Sequence, residues 1–481
     1  MNLVVDPWIP VLPSNAEKTL VSLEQLFGEG DRICDLAVNP VQRIALTRLL
    51  ICITQAALDG PQDEEDWFHC ASRIPDAALT YLHKWQDRFE LYGENAFLQA
   101  RQLQPLHNAT LDKLDFGLAA GNNATLFDHG ACPEGRSHSR PWCALELLTY
   151  QCFSPGGRIG ETKWSGEATT GTSEHAPAVA GSALHAILVG DVVIETLWLN
   201  LITKELVDSL PNMSFGRPVW EMEALPSVAG SAGGTRSYLG RLVPLSRAIA
   251  LHQSVSNMTL ANGVSYPKLP DQREAMATVV RRGKGAKERD MYVAVNLSRH
   301  PWRELASLVT LPTREAVGGP LALKHLAFLE EDPTLDVWTG GMAADKGKIL
   351  DVAEWRFSLP VSLLATESLH RYETGVDLAR DAEGVLRAAI KTCHTDLHVD
   401  AKQIPYETAQ VHYWSSLDNR FGALVEAAST PAAELNTAWY PIVRAAMEDA
   451  YAHACPHTTP RQIQAFAHGR QKLRLQKLQE R

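Results

Sequence analysis

Apolar positions recur at helical spacing in "NPVQRIALTRLLICITQAALDG", where Leu46, Leu49, Leu50, Ile53 and Ala57 share one face. Asn39 suits an N-cap, Pro40 the first helical position and Gly60 a stop, so a helix is expected here. From about Gly117 to Gly181 the pattern changes. Gly, Ser, Thr, Asn and Pro predominate there, with one helical interlude at "CALELLTYQCF". Loops of that length are unusual in a compact domain and tend to be functional. A second flexible piece, "VAGSAGGTRSYLG", follows. In "EAMATVVRRGKGAKERDMYVAVNL" two β-rich runs then flank a basic connection, which predicts a hairpin with Arg281, Arg282, Lys284, Lys287 and Arg289 at or near its tip. "GGMAADKGKIL" reads as an exposed turn opened by two glycines, with Lys346 near the tip.

After about residue 364 the pattern turns helical. Leu369, Tyr372, Val376, Ala379, Leu386, Ile390 and Cys393 recur mostly three or four apart. "AQVHYWSSLDNRFGALVEAA", "LNTAWYPIVRAAMEDAYAHA" and "PRQIQAFAHGRQKLRLQKL" behave similarly. Four amphipathic helices bury their stripes by packing on one another. The expected fold class is therefore α+β: a large mixed α/β N-terminal domain over residues 1–364, then a C-terminal four-helix bundle over 365–481.

Length and composition narrow the function. The 481 residues are 45% hydrophobic, enough for a large core. Charges interrupt the apolar runs, as Arg48 does in "ALTRLLICITQAAL", so no run reaches the roughly 18 uncharged residues that span a bilayer. The start, "MNLVVDPWIPV", lacks the marks of a signal peptide, and a cytoplasmic location without membrane partners is expected. Eight scattered cysteines form no CxxC pair, so reduced thiols are expected. A net charge of −11 opposes non-specific coating of nucleic acid, which leaves only local basic elements for such contact.

Catalytic patterns are missing. The sequence holds no Walker lysine loop, HExxH, GxSxG elbow or strand-to-helix GxGxxG. Asp128 beside His129 is a bare pair without further ligands. His129, Cys132, His138 and Cys143 lie close together, but their spacing is not one that structural zinc usually uses, and ordinary loop residues are the favoured reading. In "HACPH", Pro456 ends a helix. No catalytic residue, metal or cofactor is expected, and a recognition subunit fits better than an enzyme.

Several pieces together resemble one family. "NLVVDPWIPV", "GNNATLFDH", "SPGGRIG", a hairpin after "ANGVSYP", "GGMAADKGKIL" and the terminal helices stand in the order found in CasA, the large subunit of the type I-E CRISPR surveillance complex Cascade. The resemblance implies a non-catalytic subunit that reads the short PAM in double-stranded DNA, starts strand separation and R-loop formation, and recruits the helicase-nuclease in antiviral defence. Its implied partners are the other Cascade subunits, the CRISPR guide RNA, target DNA and that nuclease. The alternative is a purely structural assembly subunit without DNA readout.

By resemblance, Asn122, Asn123, Thr125, Leu126, Phe127 and Asp128 belong to a loop beside the guide RNA and PAM, with Leu126 or Phe127 as its apolar anchor. Gly156 and Gly157 would bring backbone to the PAM minor groove, a slot about 6 Å wide, with Arg158 beside them. An ordinary turn also accounts for that stretch. Arg281, Arg282 and Lys284 correspond to a family segment that places lysine at the PAM. Asp345 and Lys346 fall on a hairpin that wedges at the first base pair, where known relatives can carry glutamine, so lysine here implies a wedge that also grips phosphate. Some relatives hold structural zinc on paired CxxC ligands, which this chain lacks.

Overall fold

The first long helix, α1 (Pro40–Leu58), begins where its caps dictate. The Asn39 side chain accepts from the Gln42 amide while the Gln42 side chain accepts from the Asn39 amide, satisfying two otherwise orphan donors. Asp59 takes a left-handed conformation, φ 47°, and ends the helix one residue short of Gly60. The helix is buried on more than the expected face, for Thr47, Arg48 and Gln55 are also covered. Burial of Arg48 is compensated by bonds to the Leu242 carbonyl (2.7 Å), the Arg241 carbonyl (2.5 Å) and the Glu274 carboxylate (2.6 Å). By length and composition alone α1 could cross a membrane, yet 72% of its apolar window is buried inside the protein, as in a core helix.

A computed structural model of the chain describes residues 1–14, 17–100, 103–104, 108–118, 135–157, 159, 162–164, 166–169, 175–222, 235–253, 256–311, 317–326, 329, 334–345, 348–430 and 434–478. The chain divides into two compact units. One comprises Met1–Ser298, Leu311–Glu330 and Leu335–Ser358, the other Arg299–Thr310, Glu331–Thr334 and Leu359–Arg481.

In the first unit α1 packs between α2 (Ile74–Lys84) and α3 (Arg140–Phe153). Small sheets surround them. β1 (Ile9–Pro13) lies between β2 (Thr19–Val21) and β3 (Ile33–Leu36), antiparallel to both. A second sheet joins β4 (Asn108–Thr110) to β6 (Arg247–Leu251) and β7 (Asn257–Asn262), with β7 central. In a third, β5 (His185–Val189) pairs antiparallel with β10 (Thr334–Asp345), whose other neighbour is β11 (Lys348–Pro360). A two-stranded pair, β8 (Val279–Arg282) with β9 (Arg289–Tyr292), is the expected basic hairpin.

The second unit is helical: α4 (Thr366–Asp396), α5 (Tyr406–Asp418), α6 (Gly422–Ser429), α7 (Tyr440–Ala454) and α8 (Pro460–Arg470). Two expected helices need correction. "AQVHYWSSLDNRFGALVEAA" splits into α5 and α6 at a turn over residues 419–421. The last helix stops at Arg470, and residues 473–478 continue without helix. Before α7 the ladder adopts π register over Leu435–Trp439, next to Pro441, which cannot donate to it. Aromatics fill the core. Trp302 donates to Asp418 (2.6 Å), and Trp439 donates to the Gly375 carbonyl (2.9 Å). A Cβ at Gly375 would stand 2.2 Å from a Leu424 methyl, so a larger residue there would make the Leu424 side chain shift.

Candidate nucleic-acid interface

The basic hairpin has a defined register. Arg281 faces Asp290 and Arg282 faces Arg289. The tip depends on Gly283, whose φ is +107° and whose position leaves no room for a side chain: a Cβ would lie 2.2 Å from the Lys287 carbonyl oxygen. Arg281 binds the Asp290 carboxylate through Nε (2.8 Å) and a second nitrogen (3.3 Å), so this arginine is held by its own hairpin. Lys284, Lys287 and Arg289 are exposed. Like charges placed opposite, as in the Arg282–Arg289 pair, are unfavourable in the bare protein and become favourable beside an anion.

The glycine-rich turn leaves the end of α3. Its base is fixed, because the Ser154 carbonyl accepts from the Ala176 amide (2.9 Å) and buried Arg247 donates to the Pro155 carbonyl. Burial lowers the pKa of Arg247, with Tyr150 opposing. Gly157 has φ +136° and, among the described residues, no atom within 4 Å of where a Cβ would sit. Glycine is therefore required there by backbone conformation, with open space above it. Arg158 lies outside the described residues.

In "GGMAADKGKIL" the two glycines do not open a turn. Gly340 and Gly341 are buried inside β10, and the connection to β11 is only residues 346–347. Strands joined by two residues run antiparallel, so the stretch is a long hairpin. Glycine serves close approach: a Cβ on Gly340 would meet Trp338 at 2.4 Å, and one on Gly341 would meet the Ala183 carbonyl at 2.7 Å. Asp345 closes β10, whereas Lys346 lies outside the described residues.

All three elements attach to one segment, residues 176–186. Its start, Ala176, bonds the glycine-rich turn through Ser154. Its middle holds both hairpins. The Leu184 amide donates to Val293 (2.8 Å), the Ala186 amide to Met276 (2.8 Å), and the Val295 amide to Ser182 (2.9 Å). The Ser182 hydroxyl donates to the Ala344 carbonyl (3.1 Å) and accepts from the Ala344 amide (3.0 Å). Gly181, with φ +64°, lies close to Tyr292 of β9. His185, pairing with Gly340 in β5–β10, is fully buried, and its Nε2 finds no hydrogen-bond partner among the described residues. Burial, with Arg48 nearby, holds it neutral down to about pH 4.

Sequence reasoning missed this segment because its partners are distant in the chain, 162 residues away for Ser182 and Ala344. Asp290 was legible in principle, since the hairpin register puts it opposite Arg281. Asn122, Asn123, Thr125, Leu126, Phe127 and Asp128 lie outside the described residues, as do His129 and Cys132. His138 is engaged by Asp112 (2.5 Å) and stacks 3.6 Å from Trp142, and Cys143 is buried in α3 with its thiol pushed up to about 11 by burial. Among the described residues no cluster of three His, Cys, Asp or Glu could hold a metal.

These features define a mixed helix-and-strand scaffold, with a glycine-rich turn and two hairpins, one of them basic, bound to a common backbone segment. The chain belongs to the family of CRISPR-associated protein Cse1, whose model matches residues 2–450. CRISPR-associated protein CasA/Cse1 of Thermus thermophilus is 28% identical over 462 residues, 87% of this chain and 86% of that protein. Among solved structures, Thermobifida fusca Cse1 superposes with TM-score 0.82 at 21% identity, covering 98% of this chain and 97% of that one. Thermus thermophilus CasA (Cse1) gives 0.77 at 21%, covering 98% and 99%. A chain of a CRISPR RNA-guided surveillance complex gives 0.75 at 18%, covering 98% and 99%. At these identities the structural likeness establishes the fold, while the family model establishes membership. The resemblance carried by the sequence motifs names the same family.

Proposed function

We propose that this chain is the non-catalytic large subunit of a type I-E Cascade complex, cytoplasmic, assembled with the other subunits and a guide RNA. It reads the PAM in duplex DNA, starts strand separation and recruits the helicase-nuclease. Its recognition domain spans residues 1–364 and its bundle 365–481, where α5 and α6 together stand for one of the four expected helices. Gly156, Gly157 and Arg158 approach the groove, Arg282 and Lys284 take phosphate, Asp345 and Lys346 wedge at the first base pair, and Asn122–Asp128 face the guide RNA. Arg281 contributes less charge than its position suggests, because Asp290 already holds it.

The observation that carries this reading is the shared segment 176–186. It ties the glycine-rich turn and the basic hairpin by backbone bonds, and the wedge hairpin by strand pairing and the Ser182 hydroxyl, so that a displacement at one is felt at the others. PAM readout and strand opening are thereby parts of one act. Exchange of DNA duplex for RNA–DNA duplex is nearly balanced, so a small wedge contribution decides it.

The test is R-loop formation by the assembled complex on matched closed and pre-opened targets. Lys346→Ala is expected to slow the closed target and spare the opened one. Equal loss on both makes Lys346 a phosphate anchor. Unchanged DNA binding in both Lys284→Ala and Lys346→Ala complexes favours the purely structural assembly subunit.

A further inference from the structure

We infer that residues 460–478 form a second strip for nucleic-acid phosphates, in which helix α8 is followed by a strap that the helical unit clasps in place. This rests on the DNA-binding reading above and adds a contact on the helical unit. From Ala450 to Gln479 the sequence holds five cations, Arg461, Arg470, Lys472, Arg474 and Lys477, and no Asp or Glu. In a chain of net charge −11 that is a local excess of five positive charges. All five side chains are exposed, and none makes an ion pair among the described residues. The acid Asp396 is engaged by His468 (2.6 Å).

The strap is docked in a definite way. Asn436, in the π turn before α7, uses both ends of its amide on one residue: Nδ2 donates to the Leu478 carbonyl (2.9 Å) and Oδ1 accepts from the Leu478 amide (3.0 Å). Tyr440 donates its hydroxyl to the Leu475 carbonyl (2.8 Å). Leu473, Leu475 and Leu478 are half-buried beneath, while Lys472, Arg474 and Lys477 are exposed. Two side chains thus spend their hydrogen bonds on fixing the backbone of a segment whose three leucines are only half-buried. Ordering a long cationic side chain and its backbone is entropically costly, and prior fixation removes part of that cost from the binding step. Asn436 and Tyr440 are positioning residues. The chemistry at the surface is a row of ammonium and guanidinium donors without acceptors, which suits a phosphodiester backbone and carries no base readout. The strip lies beyond residue 450, where the family model's match ends.

The test uses the full chain assembled in its complex, titrated with duplex DNA lacking a target over a range of salt. Replacing Lys472, Arg474 and Lys477 together by alanine is expected to weaken binding about tenfold or more. The slope of log affinity against log salt should fall by about 2 to 3, near 0.9 for each phosphate no longer neutralised. Asn436→Ala keeps every charge and should weaken binding several-fold, because the strap is no longer held. Thermal melting of both variants checks that the helical unit stays folded. An unchanged affinity and slope in the triple variant overturns the inference. So does a loss confined to single-stranded RNA, since that assigns the strip to the guide. If the unsubstituted complex fails to bind any duplex, the DNA reading itself falls. If it binds and responds only to Lys284→Ala, that reading survives and the strip alone is refuted.

Discussion

Gly283 and Gly157 both have positive φ, for different reasons, and substitutions separate them. At Gly283 the obstacle is the chain itself, 2.2 Å from a would-be Cβ. Gly283→Ala should open the tip and speed amide exchange over 279–292, whereas Gly285→Ala, with φ +57° and open space, should cost only about 1–2 kcal/mol of backbone strain. At Gly157 no atom of the described residues lies within 4 Å of a would-be Cβ. Alanine and leucine there strain the backbone alike, so a larger loss of target affinity for Gly157→Leu than for Gly157→Ala measures how closely DNA approaches. Glu146 offers a pH test. Burial, then the Asp115 carboxylate, push its carboxyl up to about 8, against a donated bond from Gln42. The unfolded carboxyl titrates near 4.5, so between these values the folded state binds the extra proton and stability falls as pH rises. Glu146→Gln should therefore raise the melting temperature at pH 8, with the gain vanishing near pH 4.

Among elements, those governed by local chemistry were legible. Asn39, Pro40 and Gln42 announce α1, and "RRGKGAKER" between β-rich runs announces its hairpin, because caps and glycine turns act over a few residues. What misled was glycine inside a strand. In Gly340–Gly341 the residue type signals close approach to Trp338 and Ala183, and only the tertiary structure distinguishes that from a turn. The end of α8 misled for a similar reason. Leu473 still keeps helical spacing with Ala465 and Gly469, but Leu475 and Leu478 do not, and the partners that hold those two, Tyr440 and Asn436, precede them by 35 and 42 residues. The hairpin's own prediction concerns charge. Lys284→Ala with Lys287→Ala should lower the salt slope of duplex binding by up to about 0.9 for each phosphate that these lysines neutralise. Arg281→Ala should change it less, since Asp290 already neutralises that guanidinium.

Across the first unit, Glu274 links distant parts of the chain. It accepts from Arg48 (2.6 Å) and Arg241 (2.7 Å), 226 and 33 residues away, in a fully buried site. Burial pushes its carboxyl up, but the two guanidiniums outweigh that and hold it at about 2. Its stabilising contribution is present above about pH 4.5 and fades as pH falls towards 2. Glu274→Gln should destabilise this unit by about 3–5 kcal/mol, since two buried cations lose their partner, and calorimetry should show the helical unit's transition unmoved. Ser182 carries a consequence for biosynthesis. Its bonds to Ala344 span 162 residues, and those of Leu184 and Ala186 reach residues 293 and 276. At 5–20 residues per second, about 8 to 32 s pass between translation of Ser182 and of its last partner. Until the interval ends the set is incomplete: the partners at residues 276, 293 and 295 are made first, and the bonds to β10, those of the Ser182 hydroxyl to Ala344 among them, come last. A nascent chain arrested with residue 300 just outside the ribosome should leave this segment open to protease, and one arrested past residue 360 should protect it. The segment that joins the glycine-rich turn and both hairpins is therefore completed only once β10 has been made.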